Sequence, residues 1–357
     1  MRVLTVIGNR PQFVKAAAVS RLLRRSSDEV LVHTGQHYDD ALSRVFFEEL
    51  DVPPPDRQLG VGGGKNTDQT ARMLAALEPL VDEVAPDVLL VFGDTNSTLA
   101  GALVAAQAQV PLAHVEAGMR SFDRTMPEET NRVVSDHLAS LLLCASPTAA
   151  DNLRRESAIG EVAVVGDVMV DVAMALQPRA RERREPLATY GVEPGRYLLA
   201  TVHRAGNVDD PERLRRLVEL LRAMPGPVVL PLHPRTAARL QAAGLDEHLR
   251  EAPGVILTTP LGYLDFTSLL CHARAVLTDS GGVQKEAYLA GVPCLTLRGN
   301  TEWVETVALG WNTLVDLDTE AAWAALEGPR PLEHPALYGD GRAGERVVAA
   351  LERLVPS

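Results

Sequence analysis

The chain has 357 residues, 46% of them hydrophobic, and a formal net charge of −12. This length predicts roughly two domains, with enough apolar residues for two cores. The acidic balance argues against nucleic acid or an anionic membrane as partner, although local cations and helix N-termini could still bind a phosphate.

Three cysteines, Cys144, Cys271 and Cys294, lie far apart in apolar surroundings. Their spacing indicates neither a disulfide framework nor a zinc site, and they are typical of buried core residues in a reducing compartment. The N-terminus shows no signal-peptide pattern, and no apolar run reaches the length of about 18 residues that a membrane-spanning helix needs. We therefore predict a cytoplasmic protein without a bound metal.

The first half of the chain alternates short apolar runs with helical patterns. Strands are predicted at residues 3–7, 29–33, 88–92, 111–115, 141–145 and 162–165. Five helices are predicted between these strands. The first begins at Pro11, the second contains Phe46 and Leu50, and the third spans about residues 68–84. The fourth ends at about residue 108, and the fifth begins at about residue 127. Repeated strand–helix units predict a doubly wound parallel sheet.

The same alternation restarts in the second half. Residues 174–195 are charged, contain three prolines and form no strand pattern, so we predict an inter-domain linker there. Strands follow at residues 197–202, 228–232, 255–258, 275–278, 294–297 and 313–315. The predicted units are therefore domain 1–173, linker 174–195, domain 196–340, and a helix at 341–357 that belongs to the second domain or crosses back to the first. We expect the ligand between the two domains, where strand ends of both halves meet.

Three carboxylates lie at the ends of predicted strands or at the start of a predicted helix. Asp94 comes after the strand at 88–92, Glu116 after the strand at 111–115, and Glu128 in a predicted first helical turn. Ligands bind beyond the carboxyl ends of parallel strands, so these side chains are candidates for acid and base chemistry. Each also has a structural interpretation, because acidic residues commonly cap or open helices.

Several segments could bind phosphate. Arg10 and Lys15 bracket a helix N-terminus, where they either bind an anion or remain solvated. We interpret the glycine-rich segment 60–64 as a mobile surface loop rather than a phosphate cradle. Neither a dinucleotide fingerprint nor a Walker loop occurs, which disfavours NAD and ATP.

The second half contains a clearer phosphate candidate. Residues 280–282, Ser-Gly-Gly, follow a predicted strand and open a helix, so backbone N–H groups could approach a diphosphate, unless the segment is an ordinary glycine turn. Glu286, one turn later, suits a ribose diol. His203 and His233 each end a strand; one such histidine is commonly structural, but two neighbouring cationic strand ends favour an anionic ligand.

Six motifs occur in order over nearly the whole chain. They are RP…K at 10–15, GDT at 93–95, HVEAGMR at 114–120, PEETNR at 127–132, TVHR at 201–204 and DSGG at 279–282. Together they resemble the non-hydrolysing UDP-N-acetylglucosamine (UDP-GlcNAc) 2-epimerase family. The resemblance implies α/β architecture with two Rossmann-like doubly wound parallel-sheet domains facing a central cleft, as in GT-B proteins, and a homodimer. It also implies interconversion of UDP-GlcNAc and UDP-N-acetylmannosamine (UDP-ManNAc) without NAD, metal or another cofactor.

The resemblance also implies residue roles. The catalytic residues would be Asp94, Glu116, Glu128 and His203. The substrate-binding residues would be Arg10, Lys15, Arg132, Phe266, Ser280, Gly281, Gly282 and Glu286, with Phe266 against the uracil and Glu286 at the ribose.

Three positions depart from the family pattern. Gly206 stands where many members have Glu, Trp303 replaces an Arg expected near the nucleotide, and Tyr38 stands where members regulated by their own substrate often have Arg. These changes resemble the branch that includes epimerases of diacetamido-uronic acid sugars. The identity of the sugar and the presence of a regulatory UDP-GlcNAc site therefore stay open.

The leading interpretation is elimination of UDP to give 2-acetamidoglucal, followed by re-addition of UDP. A hydrolysing epimerase that releases ManNAc and UDP would need the same elimination, and an epimerase of a modified UDP-HexNAc would use the same residues. Two further alternatives fit the residues less well. A GT-B glycosyltransferase needs no base at C2, and a non-catalytic UDP-sugar sensor would not need the carboxylates.

Overall fold

The computed structural model describes residues 1–36 and 53–355, so the predicted helix through Phe46 and the Tyr38 position lie outside the described residues. The chain divides into two compact units. Unit 1 comprises Met1–Met174 and Ala336–Ser357, and unit 2 comprises Ala175–Pro335. Each unit contains one parallel sheet with intervening helices, which confirms the predicted α/β class.

Unit 1 contains a sheet of seven parallel strands. They are β1 (Arg2–Ile7), β2 (Asp28–His33), β3 (Arg57–Gln58), β4 (Val88–Phe92), β5 (Leu112–Ala117), β6 (Leu141–Cys144) and β7 (Glu161–Val164). Their order is β3-β2-β1-β4-β5-β6-β7, and every residue of β4 is buried, as expected for a central parallel strand. The strand order reverses between β1 and β4, the position at which such sheets bind ligands.

The helices of unit 1 begin with side-chain caps at several of the strand-to-helix turns. They are α1 (Arg10–Ser26), α2 (Asn66–Val84), α3 (Asn96–Gln107), α4 (Pro127–Leu138), α5 (Pro147–Arg155), α6 (Val168–Glu182), which extends into unit 2, and the last helix of the chain (Ala343–Leu354). Asn9 caps α1, and Thr95 forms a capping box with Thr98 at α3. The backbone N–H groups of Ala343 and Gly344 donate to Asp171 in α6, which joins the C-terminal helix to unit 1.

Unit 2 contains a sheet of six parallel strands. They are β8 (Leu198–Thr201), β9 (Val228–Pro231), β10 (Val255–Thr258), β11 (Ala275–Thr278), β12 (Cys294–Thr296) and β13 (Asn312–Leu314), in the order β10-β9-β8-β11-β12-β13. Leu198 and Leu277 belong to one apolar cluster, whereas their neighbours Leu199 and Val276 belong to another. Side chains alternate across a strand, so the two clusters cover opposite faces of the sheet. The strand order reverses between β8 and β11.

The helices of unit 2 connect these strands. They are α7 (Glu185–Thr189), α8 (Ala205–Val208), α9 (Pro211–Ala223), α10 (Pro234–Ala243), α11 (Asp246–Arg250), α12 (Tyr263–His272), α13 (Gly281–Ala290), α14 (Val304–Ala308) and α15 (Thr319–Glu327), and the C-terminal helix of unit 1 is therefore α16. The segment 174–195 carries the end of α6 and the whole of α7.

The three cysteines are buried and free. Within the described ranges, no three potential metal ligands form a group, and no helix is both long and apolar enough to cross a membrane.

Candidate active site

Gln12, in the first turn of α1, joins the two strands at which the order of the unit 1 sheet reverses. Its Nε2 donates to the carbonyl oxygen of Phe92 at 2.7 Å and to Thr98 Oγ1 at 3.0 Å. Its Oε1 accepts from the backbone N–H of Gly8 at 2.7 Å. The ends of β1 and β4 are therefore held together by one buried amide. Sequence reasoning missed this residue, although a glutamine in a helix that otherwise packs on a sheet is a usable signal.

Glu116 and Lys15 form a partly buried ion pair beside this position. Their side chains are only 11% and 12% exposed. The backbone of Glu116 has φ +71°, in the left-handed region, where the register between β5 and β6 shifts. Such a conformation is unfavourable for a residue with a side chain and is concentrated at functional sites. A Cβ at Gly93 would lie 2.9 Å from the Lys15 Nζ, so this glycine leaves room for the pair.

Asp94 is held by α4. Its Oδ2 accepts from Arg132 Nη2 at 2.5 Å, and its backbone carbonyl accepts from Asn131 Nδ2 at 2.9 Å. The Asp94 side chain remains 29% exposed while that of Arg132 is 5% exposed. Asp94 thus presents a carboxylate to solvent from a rigid support, and the structure brings the predicted residues Asp94 and Arg132 together.

Two neighbouring glutamates at the start of α4 differ in their surroundings. Glu129 is buried and accepts from the backbone N–H groups of Ser121 and Phe122 at 2.9 and 3.0 Å and from Arg132 at 2.8 Å. Glu128 is half-buried. Glu129 therefore fixes the loop before α4, a function that sequence reasoning missed, and the catalytic role of Glu128 stays a prediction.

Arg10 is the first residue of α1. Its side chain lies outside what the structure describes, so its predicted contact with the substrate stays a prediction.

Asp279 organises the corresponding position of unit 2, between β8 and β11. Its carboxylate is fully buried and accepts from the backbone N–H groups of His203 and Arg204 at 3.1 and 3.0 Å and from Asn207 Nδ2 at 3.1 Å. The His203 side chain is 39% exposed, and its ring centroid lies 5.5 Å from that of His233. The two strand-end histidines are therefore neighbours.

The start of α13 presents the glycine-rich segment. Ser280 occupies the N-cap position without a side-chain cap bond, and Gly281 and Gly282 form the first turn. A Cβ at Gly281 would have ordinary contacts at 3.6 Å, and one at Gly282 would meet only Ser280 Oγ at 3.9 Å. The first N–H groups of a helix lack intrahelical partners and attract anions. Glu286, one turn later, is half-buried.

Trp303 is part of the support of this helix start. Its Nε1 donates to the carbonyl oxygen of Gly281 at 2.8 Å, and its ring centroid lies 4.5 Å from Nζ of the fully buried Lys285. Phe266 lies in α12, is 6% exposed and belongs to an apolar cluster of unit 2. Its predicted contact with uracil stays a prediction.

Comparisons with known proteins agree over the full length of the chain. A profile of the UDP-N-acetylglucosamine 2-epimerase family matches residues 21–352. The UDP-2,3-diacetamido-2,3-dideoxy-D-glucuronate 2-epimerase of Pseudomonas aeruginosa is 44% identical over 366 residues, covering 99% of this chain and 100% of that protein. The UDP-N-acetylglucosamine 2-epimerase of Methanocaldococcus jannaschii is 40% identical over 363 residues, covering 98% and 99%.

The fold agrees as well. A crystal structure of the M. jannaschii UDP-GlcNAc 2-epimerase in complex with UDP-GlcNAc and UDP superposes with a TM-score of 0.93 at 39% identity, covering 99% of this chain and 100% of that chain. These similarities confirm the family resemblance and the GT-B-like fold inferred from the six motifs. The chain belongs to the UDP-N-acetylglucosamine 2-epimerase family.

Proposed function

We propose that the chain catalyses the reversible C2 epimerisation of UDP-GlcNAc to UDP-ManNAc. The observation that carries the proposal is the pair of anchored carboxylates at adjacent strand ends, Asp94 with Arg132 and Glu116 with Lys15, in a member of this family. Carboxylates held by cations on rigid elements can exchange protons with a substrate without moving far.

The reaction has to make an unreactive hydrogen acidic. The C2 hydrogen of a hexosamine has no neighbouring carbonyl carbon, so direct removal is unfavourable. If the C1–O bond breaks first, its electron pair leaves with UDP and an oxocarbenium-like centre forms at C1. A carboxylate then takes the C2 proton, giving 2-acetamidoglucal. A second carboxylate protonates C2 from the opposite face while a UDP oxygen bonds to C1.

We assign the proton transfers to Glu116 and Glu128 on opposite faces of C2, with Asp94 as the third catalytic carboxylate. Cationic groups, Arg10, Lys15 and His203, offset the charge that develops on the departing diphosphate. The helix start at 280–282 and Glu286 hold the diphosphate and ribose. Arg132 positions Asp94, and Phe266 is assigned to the uracil.

A second substrate has specific support. The Pseudomonas relative named for UDP-2,3-diacetamido-2,3-dideoxy-D-glucuronate is as similar to this chain as the relatives named for UDP-GlcNAc. Both substrates are UDP-2-acetamido sugars that differ at C3 and C6, and the same elimination at C1 and C2 serves both. The diacetamido-uronate is therefore the alternative substrate of the same reaction.

Proton NMR of UDP-GlcNAc incubated with the protein in D₂O tests the proposal. We expect deuterium at C2 in both UDP-GlcNAc and UDP-ManNAc, with little free UDP. Deuterated free ManNAc with an equal amount of UDP would instead identify a hydrolysing enzyme. Absence of exchange with UDP-GlcNAc but exchange with the diacetamido-uronate would move the assignment to that substrate. Absence of exchange with both would contradict the proposal.

The homodimer is also a proposal, and it rests on the family resemblance alone. Light scattering on the purified chain is expected to give twice the mass of 38.5 kDa. A monomer mass at micromolar concentration would contradict it.

A further inference from the structure

Three buried ionisable side chains lie behind the candidate carboxylates of unit 1. His114 belongs to β5, Arg120 follows β5, and Asp136 belongs to α4, and their side chains are 0%, 1% and 0% exposed. Charged groups are rarely buried to this extent unless each has dedicated partners. His114 and Arg120 begin and end the HVEAGMR motif, but neither they nor Asp136 belong to the predicted catalytic or substrate-binding residues.

Asp136 is the centre of this group. Its Oδ1 lies 2.7 Å from His114 Nδ1, and its Oδ2 accepts from Arg120 Nη1 at 2.7 Å and from the backbone N–H of Gly118 at 3.1 Å. Burial opposes ionisation of this carboxyl, but the charges and hydrogen bonds of His114 and Arg120 outweigh burial and hold its pKa below the ordinary value. Arg120 is in turn held by Glu156, beyond the end of α5, through bonds of 2.8 and 2.7 Å.

The second nitrogen of His114 reaches the neighbouring strand end. Its Nε2 lies 2.7 Å from the carbonyl oxygen of Gly93. A carboxylate oxygen and a backbone carbonyl oxygen are both acceptors, so each ring nitrogen of His114 faces an acceptor. His114 therefore joins the turn after β4 to the buried carboxylate of Asp136.

The bonds of this group end on the two turns that carry Asp94 and Glu116. Gly93 directly precedes Asp94, and Gly118 lies two residues after Glu116. One side of the group holds Gly93 through His114, and the other holds Gly118 through Asp136. Glu116 itself has the unfavourable positive φ, so its backbone needs fixed bonds near it.

We propose that His114 and Asp136 are positioning residues that set the separation and direction of the Asp94 and Glu116 carboxylates. Neither residue touches the substrate in this proposal, which rests on the epimerase function proposed above. Glu128 lies in the first turn of α4, whereas Asp136 lies about two turns later in the same helix. Loss of the group should therefore affect Glu116 more than Glu128.

The variant Asp136→Asn tests the proposal because it keeps the side-chain size and removes the charge. The amide NH₂ would face donors where an oxygen now accepts. We expect kcat to fall on the order of 10²-fold, as for misplacement of a catalytic group. We expect KM and the affinity for UDP to change by less than about threefold, because substrate binding is not the lost property.

A second readout separates positioning from general loss of structure. In D₂O, 2-acetamidoglucal formed from UDP-GlcNAc returns to deuterated UDP-GlcNAc or goes on to deuterated UDP-ManNAc. Early in the reaction, before the epimers equilibrate, the ratio of these products depends on the relative efficiency of the two proton donors. We expect Asp136→Asn to shift the ratio in the direction given by Glu116→Asp, which withdraws that carboxylate by one methylene.

Glu29→Gln is the matched control. Glu29 is a buried carboxylate at the amino end of β2 that accepts from Thr5, Ser20 and Arg24 at 2.8, 2.9 and 2.8 Å. This variant also breaks a buried charged network of unit 1, but on the amino ends of the strands. We expect lower thermal stability with an unchanged product ratio.

Three results distinguish a positioning role of His114 and Asp136 from a purely structural one. A wild-type ratio in Asp136→Asn, or an equal shift in Glu29→Gln, would overturn the positioning role. Absence of any exchange by the wild-type protein would instead contradict the proposed function. If Asp136→Asn does not fold, His114→Gln replaces it, because this variant loses the ring that joins the Gly93 turn to Asp136. We expect the same shift of the product ratio, and a wild-type ratio in a folded His114→Gln would overturn the inference.

Discussion

Each unit contains the same reversal of strand order and, near it, a buried aspartate, but the two aspartates are held by different chemistry. In unit 1 the buried Asp136 is held by two ionisable side chains, His114 and Arg120. In unit 2 the buried Asp279 accepts from backbone N–H groups and from the amide of Asn207. One support is built from side-chain charge, and the other is built largely from the polypeptide backbone.

This difference matches the functional groups that each unit carries at its strand ends. Unit 1 presents the carboxylates of Asp94 and Glu116, each paired with a cation, whereas unit 2 presents the glycine start of α13. Proton transfer needs ionisable side chains in fixed directions, and a diphosphate is held well by N–H groups at a helix start. We infer that unit 1 carries the chemistry and unit 2 holds the nucleotide.

The largest expected effect comes from Glu116→Gln, which would separate the two functions. Removal of a proton-transfer group should lower kcat by about 10³-fold, within the usual range for general acid–base catalysis. The affinity for UDP, measured by calorimetric titration, should change by less than about threefold. The exposed Glu83 of unit 1 gives the control variant Glu83→Gln, which should be as active as the wild type. An equal loss of UDP affinity and of rate in Glu116→Gln would contradict the division.

Acid should destabilise unit 1 through His33. Burial lowers the pKa of His33 to about 4, and the ring lies against Phe13 with centroids 4.9 Å apart. The unfolded chain binds this proton near pH 6.5, so the stabilisation is complete above that pH and is lost as the pH falls toward 4. The full difference corresponds to about 3 kcal/mol in the free energy of unfolding.

Urea unfolding at about pH 7 and about pH 4.5 measures this effect. The variant His33→Gln cannot titrate, so its free energy of unfolding should change less between the two pH values. An equally steep pH dependence in that variant would contradict the assignment to His33.

Gly281→Ala would locate the phosphate contact. The added methyl group makes only ordinary contacts at 3.6 Å, so the fold should be retained. The same methyl group lies at the first turn of α13, where it would hinder the approach of the diphosphate to the backbone N–H groups. We expect the affinity for UDP to fall about tenfold, or about 1.4 kcal/mol. The comparison variant is Gly63→Ala in the glycine-rich segment of unit 1, where a Cβ meets nothing within 4 Å. A loss of UDP affinity in Gly63→Ala alone would place the diphosphate at unit 1.

The smallest effect is expected for Trp303→Phe. This variant loses the 2.8 Å bond from Nε1 to the Gly281 carbonyl but keeps an aromatic ring beside Lys285. The free energy of unfolding of unit 2 should fall by about 1 kcal/mol, the usual contribution of one hydrogen bond. Trp303→Ala removes the ring as well and should cost more in the same denaturant titration. Equal losses would show that the contact with Lys285 contributes nothing.

Most of the fold could be predicted from the sequence because buried parallel strands are continuous apolar runs. The predicted strands at 88–92, 255–258 and 275–278 coincide with β4, β10 and β11. The strand β3 was missed because it has two residues, both polar and exposed. The positions of Asp94 and Glu116 at strand ends followed from the same pattern.

The internal organisation of the site could not be predicted in the same way. Lys15 and Glu116 are 101 positions apart, and His114 and Asp136 are 22 positions apart, so their contacts depend on sheet register and helix packing. No sequence signal gives the positive φ of Glu116. The buried position of Glu129 was partly predictable, because Arg132 lies three residues later on the same side of α4.

The proposed reaction requires that the bond between C1 and the UDP oxygen is broken and formed again. The most direct test uses UDP-GlcNAc with oxygen-18 in that bridging position, followed by phosphorus NMR. We predict that the label moves into the non-bridging oxygens of the β-phosphate at least as fast as UDP-ManNAc forms, because UDP can rotate once it is free. Formation of UDP-ManNAc with the label still wholly in the bridge would contradict elimination and re-addition of UDP.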